Sequence, residues 1–160
     1  ACAASLCHQW KSELLVWSHF EVKACMGKDK DQVMKLARKR QVEVVVMSLE
    51  LLRAIKGEVL RLKWEMIIVD EVHRVKDHKS GLAQALQELN IHCRFGLSGT
   101  LLQNNMMELW CTLNFVKRNA LLDRNHFKQR FRDPILAGQK KNATDRVLIL
   151  ARTRATMLSN

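Results

Sequence analysis

Asp70 and Glu71 stand side by side at the end of the apolar run "EMIIV", and His73 follows two residues later. Adjacent carboxylates in such a place suit a division of labour in phosphoryl chemistry. One acid can sit in the outer shell of Mg²⁺ beside a nucleotide phosphate, while its neighbour, aimed differently by the turn, orients and polarises an attacking water. Taken alone, D-E-x-H is a short pattern, and two acids that only cap and solvate the next turn would read the same way. A zinc-protease helix is excluded, because H-E-x-x-H does not occur in the chain.

The elements that must position these acids alternate between strand and helix. Ser5 can cap a helix in which Leu6, Trp10, Leu14 and Trp17 share one face. Residues 21 to 27 read as a strand stopped by Gly27, residues 28 to 40 as a charged helix, and the β-branched run at 42 to 48 as a buried parallel strand. A helix at 49 to 62, the acid-bearing strand at 65 to 71, a helix at 80 to 89 and a strand at 92 to 99 follow. Asn105 can then cap a helix bearing Met106, Leu109, Trp110 and Leu113. The order βαβαβαβα predicts an α/β fold with one parallel sheet, helices on both faces and a ligand site at the carboxyl ends of the strands, where Asp70 and Glu71 emerge.

A second constellation lies one strand further on. "FGLSGTLLQNNMMELW" (95 to 110) resembles the Ser-Gly-Thr motif of helicase-like ATPases with the "LQNN..ELW" extension of the Snf2 family. "SLCHQWKSELLVW" (5 to 17), "VVVMSLELLR" (44 to 53) and "FKQRFRDPILAGQ" (127 to 139) are similar to further blocks of that family in the same order. The forms "DEVHR.K" and "LLQNNM.ELWC" resemble its excision-repair branch, the Cockayne-syndrome-B-like proteins. The resemblance implies a RecA-like lobe that uses ATP and Mg²⁺, with Asp70 placing the metal through water, Glu71 activating water and His73 linking the nucleotide site to the DNA-tracking surface. It implies further that Ser98, Gly99 and Thr100 couple the state of the γ-phosphate to the rest of the motor. Expected partners are double-stranded DNA, a second RecA-like lobe and chromatin or repair proteins, in the nucleus. Gln103 and Asn104 lie in the extension without an assigned chemistry. Met47-Ser48 stands where the family carries Thr-Tyr, and "ACAAS" where a proline precedes the serine.

Composition agrees with a polyanionic partner. The 160 residues carry 27 Lys and Arg against 16 Asp and Glu, a net charge of +11. Basic residues cluster at Lys35, Arg38, Lys39 and Arg40, and again at Lys117, Arg118, Lys128, Arg130 and Arg132. Both clusters could meet phosphates in a salt-sensitive, sequence-independent way, although any one of them is first of all a solvated helix face. Trp10, Trp17, Trp64 and Trp110 fall at apolar positions and are expected in the core rather than stacked on bases. No apolar run approaches the roughly 20 residues that cross a bilayer, so no membrane partner is expected. Five cysteines without a C-x-x-C pair are expected to be mainly reduced core thiols.

No G-x-x-x-x-G-K-[ST] occurs in the chain, and a P-loop ATPase needs that loop to cradle phosphates. Residues 1 to 116 therefore read as a partial lobe one, expected to lie after a P-loop and before lobe two, and 117 to 160 as a basic helical insertion or extension. The whole reads as a fragment of an ATP-dependent double-stranded-DNA translocase, inactive by itself. The alternative is a non-catalytic, truncated paralogue that binds DNA or protein. On the motor reading, the missing P-loop strand and helix leave residues 92 to 97 at an open edge, with Phe95 or Leu97 uncovered.

Overall fold

The structure is a computed structural model that describes residues 1–75, 80–99 and 106–137. Its β-branched runs form four short strands: β1 (Val22–Cys25), β2 (Val44–Met47), β3 (Met66–Val69) and β4 (Cys93–Gly96). β1 pairs with β2 in parallel from Val22↔Val44 to Cys25↔Met47, and β3 with β4 from Met66↔Cys93 to Val69↔Gly96. β2 and β3 are not paired directly. Between their carboxyl ends lie Ala1 and Cys2, bonded on both sides. Cys2 N donates to Met47 O at 3.1 Å and Leu49 N to Cys2 O at 3.1 Å. On the other side the Ala1 amine donates to Ile68 O at 2.6 Å, and Asp70 N donates to Ala1 O at 2.8 Å. These two residues act as a fragment of strand parallel to both neighbours. The expected single sheet is thus two parallel pairs joined at their carboxyl ends, in the order β1, β2, Ala1 and Cys2, β3, β4.

Helices follow the expected alternation, with local differences. A 3₁₀ turn (Ala4–Leu6) leads into α1 (Cys7–Trp17), so Ser5 lies inside the turn and no side chain caps α1. After α2 (Lys30–Arg38), the expected helix at 49 to 62 divides at Ile55 into α3 (Leu49–Ala54) and α4 (Lys56–Leu60). Ser48 caps α3 by accepting from Leu51 N, and Ser80 caps α5 (Gly81–Glu88) by accepting from Ala83 N. α6 (Met106–Val116) comes next, and the expected cap at Asn105 lies outside the described residues. Then α7 (Arg124–Phe127), a π-helical turn (Lys128–Arg132) and α8 (Asp133–Ala137) run on without a break.

Side chains alternate across the strands and build two apolar layers. Cys25, Met47, Ile67 and Val69 face Met34 of α2, Leu49 and Leu52 of α3, Leu86 of α5 and Phe115 of α6 in the main core. On the opposite face Cys2, Val22 and Val46 pack with Cys7, Trp10 and Leu14 of α1. Trp110 and Cys111 of α6 receive Phe127, which docks the C-terminal helices on α6. The expectation of core thiols holds for Cys2, Cys7, Cys25 and Cys111, while Cys93 is half-buried. Burial first, and the neighbouring Cys7 second, push the Cys2 thiol up to about 12.

Two features of β4 matter later. Arg94 points into the main core, 9% exposed, and donates to the carbonyls of Ile91 (2.8 Å), Leu86 (2.9 Å) and Leu89, closing the C-terminal end of α5. Its guanidinium also lies 5.5 Å from the Phe115 ring centroid. The other face of the β3–β4 pair is bare: Met66, Ile68, Phe95 (49%) and Leu97 (42%) are all exposed, and α1 packs on β1 and β2 instead. Trp17 corrects the reading of the tryptophans, because it is 82% exposed at the end of α1, whereas Trp110 is buried as expected.

Candidate functional site

The carboxyl ends of β3 and β4 bring the expected acids together with Ser98 and Gly99. Beyond β3 the chain turns at Glu71, which adopts a left-handed φ of 50°, and enters a 3₁₀ turn (Val72–Val75). A non-glycine residue in that region costs on the order of 1 kcal/mol and persists only where its surroundings impose it. Here they do. The β3–β4 ladder continues past the strands, with Leu97 N donating to Val69 O and Val72 N to Leu97 O, both at 2.9 Å, which holds the chain on either side of Glu71. Arg74, at the far end of the turn, bonds Glu50 of α3 and holds its carboxyl below the ordinary value.

Gly96 allows this close approach. A Cβ there would meet the Val72 side chain at 2.9 to 3.0 Å, and Val72 is 1% exposed and has nowhere to move. Gly96→Ala is therefore expected to destabilise the chain by about 1–3 kcal/mol and to disturb the acid turn. Gly99→Ala, where no atom of the described residues lies within 4 Å of the added Cβ, should cost far less. Urea titration of both variants checks the contrast.

Within the site, Asp70 accepts on both carboxylate oxygens: Oδ1 from Glu71 N at 2.9 Å, and Oδ2 from the Trp10 indole Nε1 of α1, also at 2.9 Å. His73 Nδ1 lies 3.1 Å from Glu71 Oε2 and 3.0 Å from Ser98 Oγ. The His73 ring thus stands between the second acid and the loop after β4, within ion-pair distance of Glu71 and hydrogen-bonded to Ser98. Of the expected residues, Asp70, Glu71, His73, Ser98 and Gly99 stand in this one place, and Thr100, Gln103 and Asn104 lie outside the described residues. Trp10 was missed as a site residue, since its spacing marks it equally as an apolar helix position.

The match to known proteins covers nearly the whole chain: the model of the SNF2-related domain fits residues 1–159. The chain belongs to the SNF2-related domain family. It is 38% identical over 92% of its length to the mouse DNA excision repair protein ERCC-6-like 2, of which it spans 10%. It is 36% identical over 99% of its length to Switch 2 of Arabidopsis thaliana, of which it spans 19%. Among solved structures, the Sulfolobus solfataricus SWI2/SNF2 ATPase core in complex with dsDNA superposes with a TM-score of 0.75 at 20% identity. That likeness covers 99% of this chain and 31% of the other, and it establishes the RecA-like α/β fold.

Asp70 in this SNF2-related domain fits a Mg²⁺ ion held mainly by water. Among the described residues no three His, Cys, Asp or Glu side chains converge to cage a metal. Mg²⁺ keeps several waters and takes one or two carboxylates, and a carboxylate with one bond to each oxygen retains a lone pair on each.

The basic residues do not gather at one surface. Lys35 and Arg38 on α2 and Lys39 and Arg40 after it are exposed, with Arg38 paired to Glu58 at 3.1 Å. Lys117, Arg118 and Arg130 are exposed, while Lys128 and Arg132 are half-buried. Arg118 donates to the Gln87 carbonyl, and Arg132 pairs with Asp133 at 3.0 Å. α2 packs on β1 and α6 on β4, at opposite ends of the strand order. The structure brings the acids together and keeps the two basic clusters apart.

Proposed function

We propose that this chain supplies the metal- and water-handling part of the ATPase site in a double-stranded-DNA translocase that acts in DNA repair or chromatin remodelling in the nucleus. The observation that carries the reading is the joined set Asp70, Glu71, His73 and Ser98 at the carboxyl ends of β3 and β4. Residues 1 to 116 form this part of lobe one, and 117 to 160 its basic extension. The relative named for excision repair and the neighbour solved with dsDNA support the substrate class.

Bound Mg²⁺–ATP would supply the electrophilic phosphorus and neutralise phosphate charge. Asp70 holds the metal's water shell, fixed in direction by its two donors. Glu71 orients the attacking water, its carboxylate standing beside the His73 ring. Ser98 bonds the same ring nitrogen of His73, so displacement of the loop after β4 alters the surroundings of Glu71. Thr100 completes that coupling loop, and phosphate binding needs a P-loop that these 160 residues do not carry.

Duplex-DNA binding measured against salt tests the reading. Affinity is expected to fall steeply between low and physiological salt and to vary little with sequence, as phosphate contacts by Lys and Arg require. Salt-insensitive or strongly sequence-selective binding would count against a translocase. In the same preparation no DNA-stimulated phosphate release is expected; release abolished by Glu71→Gln would show the chain to be sufficient alone.

A further inference from the structure

Among the described residues the indole of Trp10 is the one side-chain donor on Asp70, and it comes from a different layer of the fold. Trp10 sits on α1, half-buried against the cluster of Cys2, Cys7, Val22 and Val46. Its ring is thus held by packing on the β1–β2 side, while its N–H reaches the first acid of β3. An indole nitrogen donates and cannot accept, and it does not titrate in the ordinary range. It therefore constrains the carboxylate in one sense only, by claiming one lone pair of Oδ2. With Glu71 N claiming one on Oδ1, rotation of the carboxylate about Cβ–Cγ is fixed, and the remaining lone pairs face a defined direction.

We infer that Trp10 is a positioning residue for Asp70, setting the orientation in which that carboxylate receives a hydrated divalent cation. The inference rests on the proposed metal role of Asp70 and adds the group that aims it. Donors behind a metal-binding carboxylate orient it, and their loss typically weakens metal binding by about 10- to 100-fold.

Mn²⁺ serves as the probe, because it is read by paramagnetic resonance without any turnover. In the full 160-residue chain, Trp10→Phe is expected to weaken Mn²⁺ binding by about tenfold while Asp70→Ala abolishes it. Replacement of Trp10 by benzothienylalanine keeps the bicyclic shape and removes only the N–H, so it separates the hydrogen bond from packing should Trp10→Phe fail to fold. Fluorotryptophan at the same position restores the donor and should restore affinity. Bound Mn²⁺ should also broaden the indole proton of Trp10 more strongly than that of Trp17, which lies about two turns further along α1. Wild-type affinity in a folded benzothienylalanine variant, with Asp70→Ala still defective, would overturn the role of Trp10 alone. Wild-type affinity in Asp70→Ala would overturn the metal role of Asp70 as well.

Discussion

Arg94→Met is expected to lower stability by about 3–5 kcal/mol, most of what a small domain possesses. The arginine is a three-pronged cap: its guanidinium closes the carbonyls of Leu86, Leu89 and Ile91 at the end of α5 and lies against Phe115. Methionine fills similar space but leaves those carbonyls without a donor in a buried place, and each such loss costs about 1–3 kcal/mol. Burial also lowers the arginine's pKa from its ordinary value, yet a guanidinium stays charged throughout the useful pH range. Lysine keeps the charge but offers one point where the fork offers several, so Arg94→Lys should recover only part of the loss. Urea titration would show the midpoint falling by about 1–3 M for methionine. A shift corresponding to under about 1 kcal/mol would mean that the α5 carbonyls have other donors.

The bare face of β3 and β4 should dominate behaviour in solution. Met66, Ile68, Phe95 and Leu97 line one face of a parallel pair, an arrangement normally covered on both sides. The double variant Ile68→Thr with Phe95→Lys is expected to turn a self-associating chain into a monomer at the same concentration. Its stability should change by less than about 1 kcal/mol, because both side chains already face water. Sedimentation velocity decides the point. Unchanged association would move the adhesive surface to another exposed apolar group, such as Leu15, Val16, Trp17 and Phe20 at and just beyond the end of α1.

Much of this arrangement was legible from periodicity. The alternation of strands and helices follows from apolar spacing, whereas the exposure of Phe95 and Leu97 was legible only through the family resemblance, which implies a further strand and helix beside β4. The emergence of Asp70 and Glu71 at a carboxyl end follows from the same spacing. Other features leave no such trace. Ala1 and Cys2 are too few to show a period, so their place between two strands is visible only through their bonds. The stretch at 49 to 62 is helical in pattern throughout, and the break at Ile55 is not marked by proline, although Gly57 follows closely. Trp10 and Trp17 lie seven residues apart on one helix and read alike, yet Trp10 reaches an acid beyond β3 while the exposed Trp17 bonds Glu13 of its own helix. The left-handed Glu71 is a conformation imposed by the ladder around it, which residue type alone does not reveal.

The dipeptide between β2 and β3 has a mechanical consequence. Among the described residues four backbone bonds join the two halves of the sheet, two to each side, and the packing of α3 on α5 ties the same halves. Force applied along the strands shares itself among these bonds, whereas force that peels the halves apart meets them one after another. These bonds therefore resist shear better than peeling along this line. Asp70 sits on that line, its N–H tied to Ala1 and its carboxylate to Trp10, so a torque that opens the seam is felt first at the acid.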